Sequence, residues 1–207
     1  MSTSTLRRSS FCALVGAVLF LGSGCSETVR TGRSPAYLVI DEIAVEPAGD
    51  SEETNVLASD VVTNGTVFED LALVSFRLAL RDIGQPGNPN TPTANNAITI
   101  TRYRVSYRRT DGRNAPGTDV PHAFEGAATI TVRDTADLSF ELVRLQAKLE
   151  PPLRQLADTQ GGPGGSVVIS TIADVTFYGR DQAGNDVSVT GSISVNFADW
   201  ADPEASE

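Results

Sequence analysis

A chain of 207 residues, 40% hydrophobic and 20% charged, has the composition of a folded protein with room for one domain or two small ones. Its 26 acidic against 16 basic residues give a net charge of −10, a surface that repels phosphate backbones and excludes nucleic acid as a partner. Two cysteines and one histidine exclude cysteine-based zinc centres and metal sites that use histidine pairs.

The chain opens with Arg7 and Arg8 ahead of an apolar run of 11 residues, 11–21 (FCALVGAVLFL). That run is too short to cross a hydrocarbon core about 30 Å thick as a helix, and it has the form of a signal peptide over residues 1–24. The residues that follow, Leu21, Gly22, Ser23, Gly24 and Cys25, resemble the bacterial lipobox, in which small residues precede a cysteine that is acylated and becomes the mature N-terminus. The usual leucine three residues before the cysteine is here Gly22, with Leu21 one step further back. The resemblance implies a diacylglycerol on Cys25 and a membrane held through it. Because Ser26 rather than aspartate follows, it also implies the outer membrane where the host has two. Cleavage removes Arg7, Arg8 and Cys12 but no acid, which takes the charge to −12, with 14 basic residues left against 26 acidic. A single remaining cysteine allows no internal disulfide, so apolar packing and sheet hydrogen bonds must hold the domain together. Residues 25–36, small and polar around Pro35, are expected to be the lipidated N-terminus and a flexible tether.

From Tyr37 onward, runs with period-two alternation are separated by Gly, Pro, Asn and Asp clusters, as half-buried strands require. The expected strands are 37–45, a weaker one near 56–63, then 71–82, 98–109, 123–133, 138–149, 167–180 and 187–197. In 71–82, Ala72, Val74, Phe76, Leu78 and Leu80 share one face and Ser75, Arg77 and Arg81 the other. In 98–109 the apolar set passes from Ile98 and Ile100 to Tyr103, Val105 and Tyr107, a change of parity that predicts a β-bulge or a strand crossing between sheets. A helix competes for 138–157, where Leu138, Leu142, Leu145 and Leu149 recur at three to four before Pro151 and Pro152. Loops are expected at 83–96, 109–122 and 151–166, rich in Pro, Gly or Asn.

Residues 102–112 (RYRVSYRRTDG) resemble the central strand and following turn of fibronectin type III domains. Residues 174–197 (DVTFYGRDQAGNDVSVTGSISVNF) are similar to the last two strands of bacterial immunoglobulin-like domains. The resemblance implies an all-β fold, an immunoglobulin-like antiparallel β-sandwich of about 7–9 strands with long loops, over residues 37–199. The immunoglobulin core's tryptophan and disulfide are missing, and the only tryptophan, Trp200, opens an acidic tail at 200–207.

No constellation for catalysis stands out. His122 is the only histidine, beside Pro121 in a loop, and no GxSxG elbow is present. Residues 161–165 (GGPGG) lack the Lys and Ser/Thr of a phosphate loop, and no spacing marks two carboxylates as a glycosidase pair. The turn 181–186 (DQAGND) offers Asp181, Asn185 and Asp186 as a weak Ca²⁺ candidate, although a hairpin turn wants the same residues for its backbone. Arg102, Arg104 and Arg108 share a parity and form a row, the nearer pair about 6.6 Å apart. They either pair with acids on neighbouring strands or form a docking strip for an acidic glycan or protein. No cofactor is expected. The reading is a noncatalytic envelope module held to the membrane by its lipid and contacting another envelope protein or a glycan. Its alternatives are a glycan-active enzyme using carboxylates and an accessory subunit of a secreted assembly that works by strand addition.

Overall fold

In the computed structural model, described over residues 33–45, 54–158 and 166–200, the chain is mostly β. Cys25, the signal peptide and most of the tether lie outside the described residues. The strands are β1 (Ala36–Ala44), β2 (Val56–Asp60), β3 (Asp70–Leu80), β4 (Gly84–Gln85), β5 (Asn88–Pro89), β6 (Ile98–Arg108), β7 (Phe124–Val132), β8 (Thr135–Val143), β9 (Ile169–Asp181) and β10 (Asp186–Ala198). The first strand starts at Ala36, and Ser34 and Ala36 are buried, so the domain begins inside the stretch expected to be tether. The tiny hairpin of β4 and β5 sits in the loop 83–96.

Three strands form one sheet in the order β1-β3-β8, and five form another in the order β2-β10-β9-β6-β7. One pairing corrects the antiparallel expectation, because β2 runs parallel to β10. It follows β1 of the other sheet, the two being tied by an antiparallel bridge between Val45 and Thr54, and it lies beside the last strand, distant in sequence, as parallel pairing requires. The parity change in β6 is a bulge between Ile100 and Arg102, seen against both neighbours. Bulges deepen strand twist, and the fold contains a sheet curled as a half-barrel.

Alternate residues of both sheets meet in one apolar core. Phe177 of β9 takes Phe76 of β3 edge-on at 4.9 Å and Phe140 of β8 at 5.3 Å, the arrangement that opposes ring edge to ring face. Tyr103 of β6 packs on Phe140 at 5.3 Å. It lies so close to β7 that a Cβ on Gly126 would sit 2.2 Å from its ring, which reserves that position for glycine. The buried phenol of Tyr107 donates across the core to the Leu142 carbonyl at 2.6 Å. Removal from water disfavours its phenolate and raises its pKa.

The competition over 138–157 resolves at Val143. Up to there the stretch is β8, with Phe140, Leu142 and Val143 buried. After extended Arg144 comes a single helical turn, α1 (Leu145–Lys148), and then a 3₁₀ turn (Leu153–Leu156). Leu145 and Leu149, the residues that suggest a continuous helix, are exposed.

Candidate functional site

The feature with a shape of its own lies where β1 leaves its sheet. On one side β3 is paired with β8 all the way to Asp70, opposite Val143. On the other side β1 accompanies β3 only as far as Ala44 opposite Leu73. Beyond Ala44 the chain continues as Val45, bridged to Thr54 by two backbone hydrogen bonds of 2.9 Å, and residues 46–53 between them lie outside the described residues. A groove of about 570 Å³ opens beside Asp70, Leu71 and Ala72, bounded by residues of β2 and β3, a size typical of ligand sites. It lies at the far end of β1 from where the chain enters the domain, nine residues or about 27 Å along the strand.

Its walls are apolar and open to solvent. Phe68 and Leu71 are 55% and 56% exposed and Leu73 is 37% exposed. Leu71 and Leu73 stand on the outward face of β3, while Ala72 and Leu57 close the inner side, both buried. Exposed large apolar residues gathered at one place mark interaction sites more often than the same residues scattered.

The floor is polar and buried. Lys148, the only lysine of the chain, projects from α1 with 2% of its side chain exposed and places Nζ 2.9 Å from Asp70 Oδ1. Ser59 of β2 donates to Asp70 Oδ2 at 2.6 Å. One carboxylate thus joins α1, β3 and β2. Burial drives the Asp70 carboxyl up while the Lys148 ammonium and the Ser59 hydroxyl draw it down. Burial prevails, leaving its pKa above the ordinary 3.8. Beside it, Asp60 accepts from the Thr63 hydroxyl at 2.6 Å and from the Trp200 backbone N–H at 2.9 Å, so the chain is fastened at the start of the stretch expected as a tail.

The residues singled out from sequence lie elsewhere. Arg102, Arg104 and Arg108 stand exposed on the outward face of the five-stranded sheet. Arg102 reaches Glu125 at 3.2 Å and lies 3.9 Å over the Tyr178 ring. Arg108 holds Asp174 at 2.7 Å, and Ser192 donates to the same carboxylate at 2.6 Å. Burial raises the Asp174 carboxyl, but Arg108 and Ser192 outweigh it and its pKa is lowered. Arg104 is set between Glu125 and Thr176 in the strand registers. The row is thus largely engaged within the sheet.

The turn 181–186 consumes its own oxygens. Asp181 Oδ1 accepts the Ala183 and Asn185 backbone N–H groups at 2.9 Å each, and Oδ2 accepts the Asn185 side-chain amide at 2.8 Å. Gly184 supplies the positive φ of 86° that closes the turn, and Asp186 pairs with Arg180 at 2.9 Å. Burial raises the Asp181 carboxyl, and these donors more than offset it, so its pKa is lowered. His122 is exposed in its loop, with its ring against Gly117.

Sequence reasoning passed over Lys148, Asp70, Phe68, Leu71 and Leu73. Two signals were present: one lysine among 16 basic residues, and apolar residues on both parities in 71–74 (LALV).

No family model matches the chain, and no curated protein matches it. Among solved structures it is similar to a structural-genomics target determined by X-ray crystallography, at 10% identity and a TM-score of 0.31 over 81% of this chain and 89% of the other. It is similar also to the putative ApaA protein from Bordetella pertussis, at 10% identity and a TM-score of 0.32 over 84% of this chain and all of the other. Likeness at that level bears on neither fold nor function.

Proposed function

We propose that the protein is a noncatalytic binding module of the cell envelope, an immunoglobulin-like sandwich held to a membrane by lipid on Cys25, whose groove beside β3 contacts another envelope polypeptide. The observation that carries the reading is the exposed set Phe68, Leu71 and Leu73 around the groove bounded by β2 and β3. The lipid rests on the lipobox-like residues 21–25. The immunoglobulin-like assignment is supported by the strand order. If β1, β3, β6, β7, β8, β9 and β10 are taken as strands A, B, C, C′, E, F and G, the sheets are A-B-E and G-F-C-C′, with β2 as an added edge strand.

The test has two parts. Cys25→Ser should move the protein from the membrane fraction to the soluble one, and a variant that still sediments with membranes would refute the anchor. A photo-cross-linking residue at Leu71 should form a discrete adduct with another envelope polypeptide, while one at outward-facing Arg77 on the same strand should not. Equal labelling from both positions would dismiss the groove as the contact surface.

A further inference from the structure

We infer that the outward face of the five-stranded sheet binds an acidic polysaccharide whose carboxylates are well spaced, with Arg104 of β6 taking a carboxylate and Tyr178 of β9 the neighbouring sugar ring. The site lies on another face of the domain from the groove, so it stands or falls separately from the contact proposed there.

The cation supplies the first argument. Arg102 and Arg108 have acids, Glu125 at 3.2 Å and Asp174 at 2.7 Å, and Arg180 has Asp186 at 2.9 Å. Arg104 stands exposed between the first two, and among the described residues it has no ion-pair or hydrogen-bond partner. The strand registers account for this. Glu125 lies opposite Arg104, but its carboxylate goes to Arg102, which is itself held over the Tyr178 ring at 3.9 Å. On the other side Arg104 meets Thr176, whose hydroxyl is engaged with that of Thr190 at 2.9 Å. A guanidinium is a rigid fork of five N–H donors, and the fork fits a carboxylate through two parallel bonds. On a chain of net charge −10, a surplus cation on a sheet face is a local attractor for anions.

The aromatic ring supplies the second. Ile100 lies opposite Gly179 and Arg102 opposite Tyr178, so Thr101 is the extra residue of the bulge, and it brings Arg102 onto the same face as the tyrosine. Arg102 covers one side of the ring. On the other side the register sets Ser188 of β10, and a hollow of about 440 Å³ opens between Tyr178, Ser188, Arg180 and Asp186. The face of a tyrosine ring is negative, and a pyranose presents weakly positive C–H groups from one side of its ring, so the two stack. Ser188 and Thr190, both exposed, carry hydroxyls that donate to and accept from sugar hydroxyls. Arg104 and Tyr178 are two residues apart along neighbouring strands, about 8 Å, which suits a carboxylate on one sugar and the ring of the next.

Composition supplies the third. Among the described residues the exposed large apolar side chains, Phe68, Leu71 and Ile83 among them, lie off β6, β7, β9 and β10, whereas a protein interface is built around a buried apolar and aromatic centre. With one cation in surplus and the carboxylates of Glu125 and Asp174 on the same face, a densely charged occupant is repelled more than held. A glycan with a carboxylate on alternate sugars meets both conditions.

The experiment uses the full chain, purified in detergent, and a fluorescent hexasaccharide of alternating glucuronate and N-acetylglucosamine. Its comparators are the same hexasaccharide with methyl-esterified carboxylates and an octapeptide of alternating glutamate and serine. The acidic sugar should bind, and binding should weaken as salt rises. The methyl ester should bind about tenfold more weakly, and so should the acidic sugar to Arg104→Gln, as loss of a charge-assisted hydrogen bond requires. That variant should melt like wild type, because Arg104 gives up no partner within the described domain. Tyr178→Thr should weaken the acidic sugar about fivefold. Arg77→Gln, on the outward face of the other sheet, should leave sugar binding unchanged. Equal binding of acid and ester, an Arg104→Gln variant that binds like wild type, or an equal loss from Arg77→Gln would each overturn the site. An octapeptide that binds as tightly as the sugar would overturn the glycan and make the face a polypeptide surface. Failure of the acidic sugar to bind would sink the inference, while the Leu71 adduct reports on the groove by itself.

Discussion

Arg108 and Lys148 each hold an aspartate at hydrogen-bonding distance, 2.7 Å to Asp174 and 2.9 Å to Asp70, in settings that share little else. Arg108 keeps 49% of its side chain in solvent and its partner 28%, whereas Lys148 keeps 2% and Asp70 18%. On the sheet face, water solvates either charge if the pair separates, so the pair adds little to stability. Beneath the groove that alternative is nearly closed to Lys148 and much reduced for Asp70. The ions were taken out of water when β2, β3 and α1 came together, and each must have the other. The outer arginines therefore decorate a sheet that would stand without them, while Lys148 and Asp70 set how three elements meet around the groove.

The sharpest way to break this comparison is Lys148→Met, which keeps an unbranched apolar stem but strands Asp70. Breaking a buried pair from one side costs about 3 to 5 kcal/mol, to be read from urea unfolding. Adding Asp70→Leu should recover most of the loss, because apolar replacement of a whole buried pair is often neutral or better. A single-variant loss below about 1 kcal/mol, as at an exposed pair, would show that Lys148 is not confined as described.

The two regions should also respond to pH with opposite sign. The Asp70 pKa is raised on folding, so the native state takes up this proton before the unfolded chain does. Its contribution to stability falls as pH rises through the interval between the ordinary 3.8 and its raised native value. The Asp174 pKa is lowered by Arg108 and Ser192 against burial. What Asp174 contributes is therefore present above the ordinary carboxylate value and lost as pH falls through its native one. Melts of wild type, Asp70→Asn and Asp174→Asn across the acid range should show the wild-type advantage growing toward low pH for the first variant and shrinking for the second. Parallel curves would remove the distinction.

Strand positions were largely legible because period-two alternation follows from burial of one face. The β6 run matches its expected 98–109 to within a residue, and its parity change is the observed bulge. The stretch after Val143 was ambiguous because Leu142, Leu145 and Leu149 fit a helical stripe, yet only Leu142 is buried. The parallel edge strand was hidden, since five residues of β2 carry no mark of the neighbour the fold will bring them to. The groove was hidden for a related reason. It lies where the pairings of β3 differ, β1 ending at Ala44 opposite Leu73 and β8 reaching Val143 opposite Asp70, and no segment read alone contains that difference. Part of it could still be read: outward Leu71 and Leu73 break the pattern that Ser75 and Arg77 keep further along the same strand.

The smallest expected effect belongs to the arginine row. Changing Arg102, Arg104 and Arg108 together to Gln removes the ion pairs to Glu125 and Asp174 and the guanidinium over Tyr178. It leaves the long side chains' cover of the sheet mostly in place, since Gln retains part of the aliphatic stem. Glu125 and Asp174 would then be solvated rather than stranded, because both are reached by water. The melting point should fall by a small fraction of the Lys148→Met loss, and high salt should shrink the difference between wild type and the triple variant by screening the attractions that wild type alone retains. The Leu71 cross-link to an envelope partner should be unchanged, since the row and the groove occupy different faces of the domain. A triple variant that melts like wild type but forms no Leu71 adduct would reverse the assignment and make the outer sheet face, with its arginines, part of the surface that partners read.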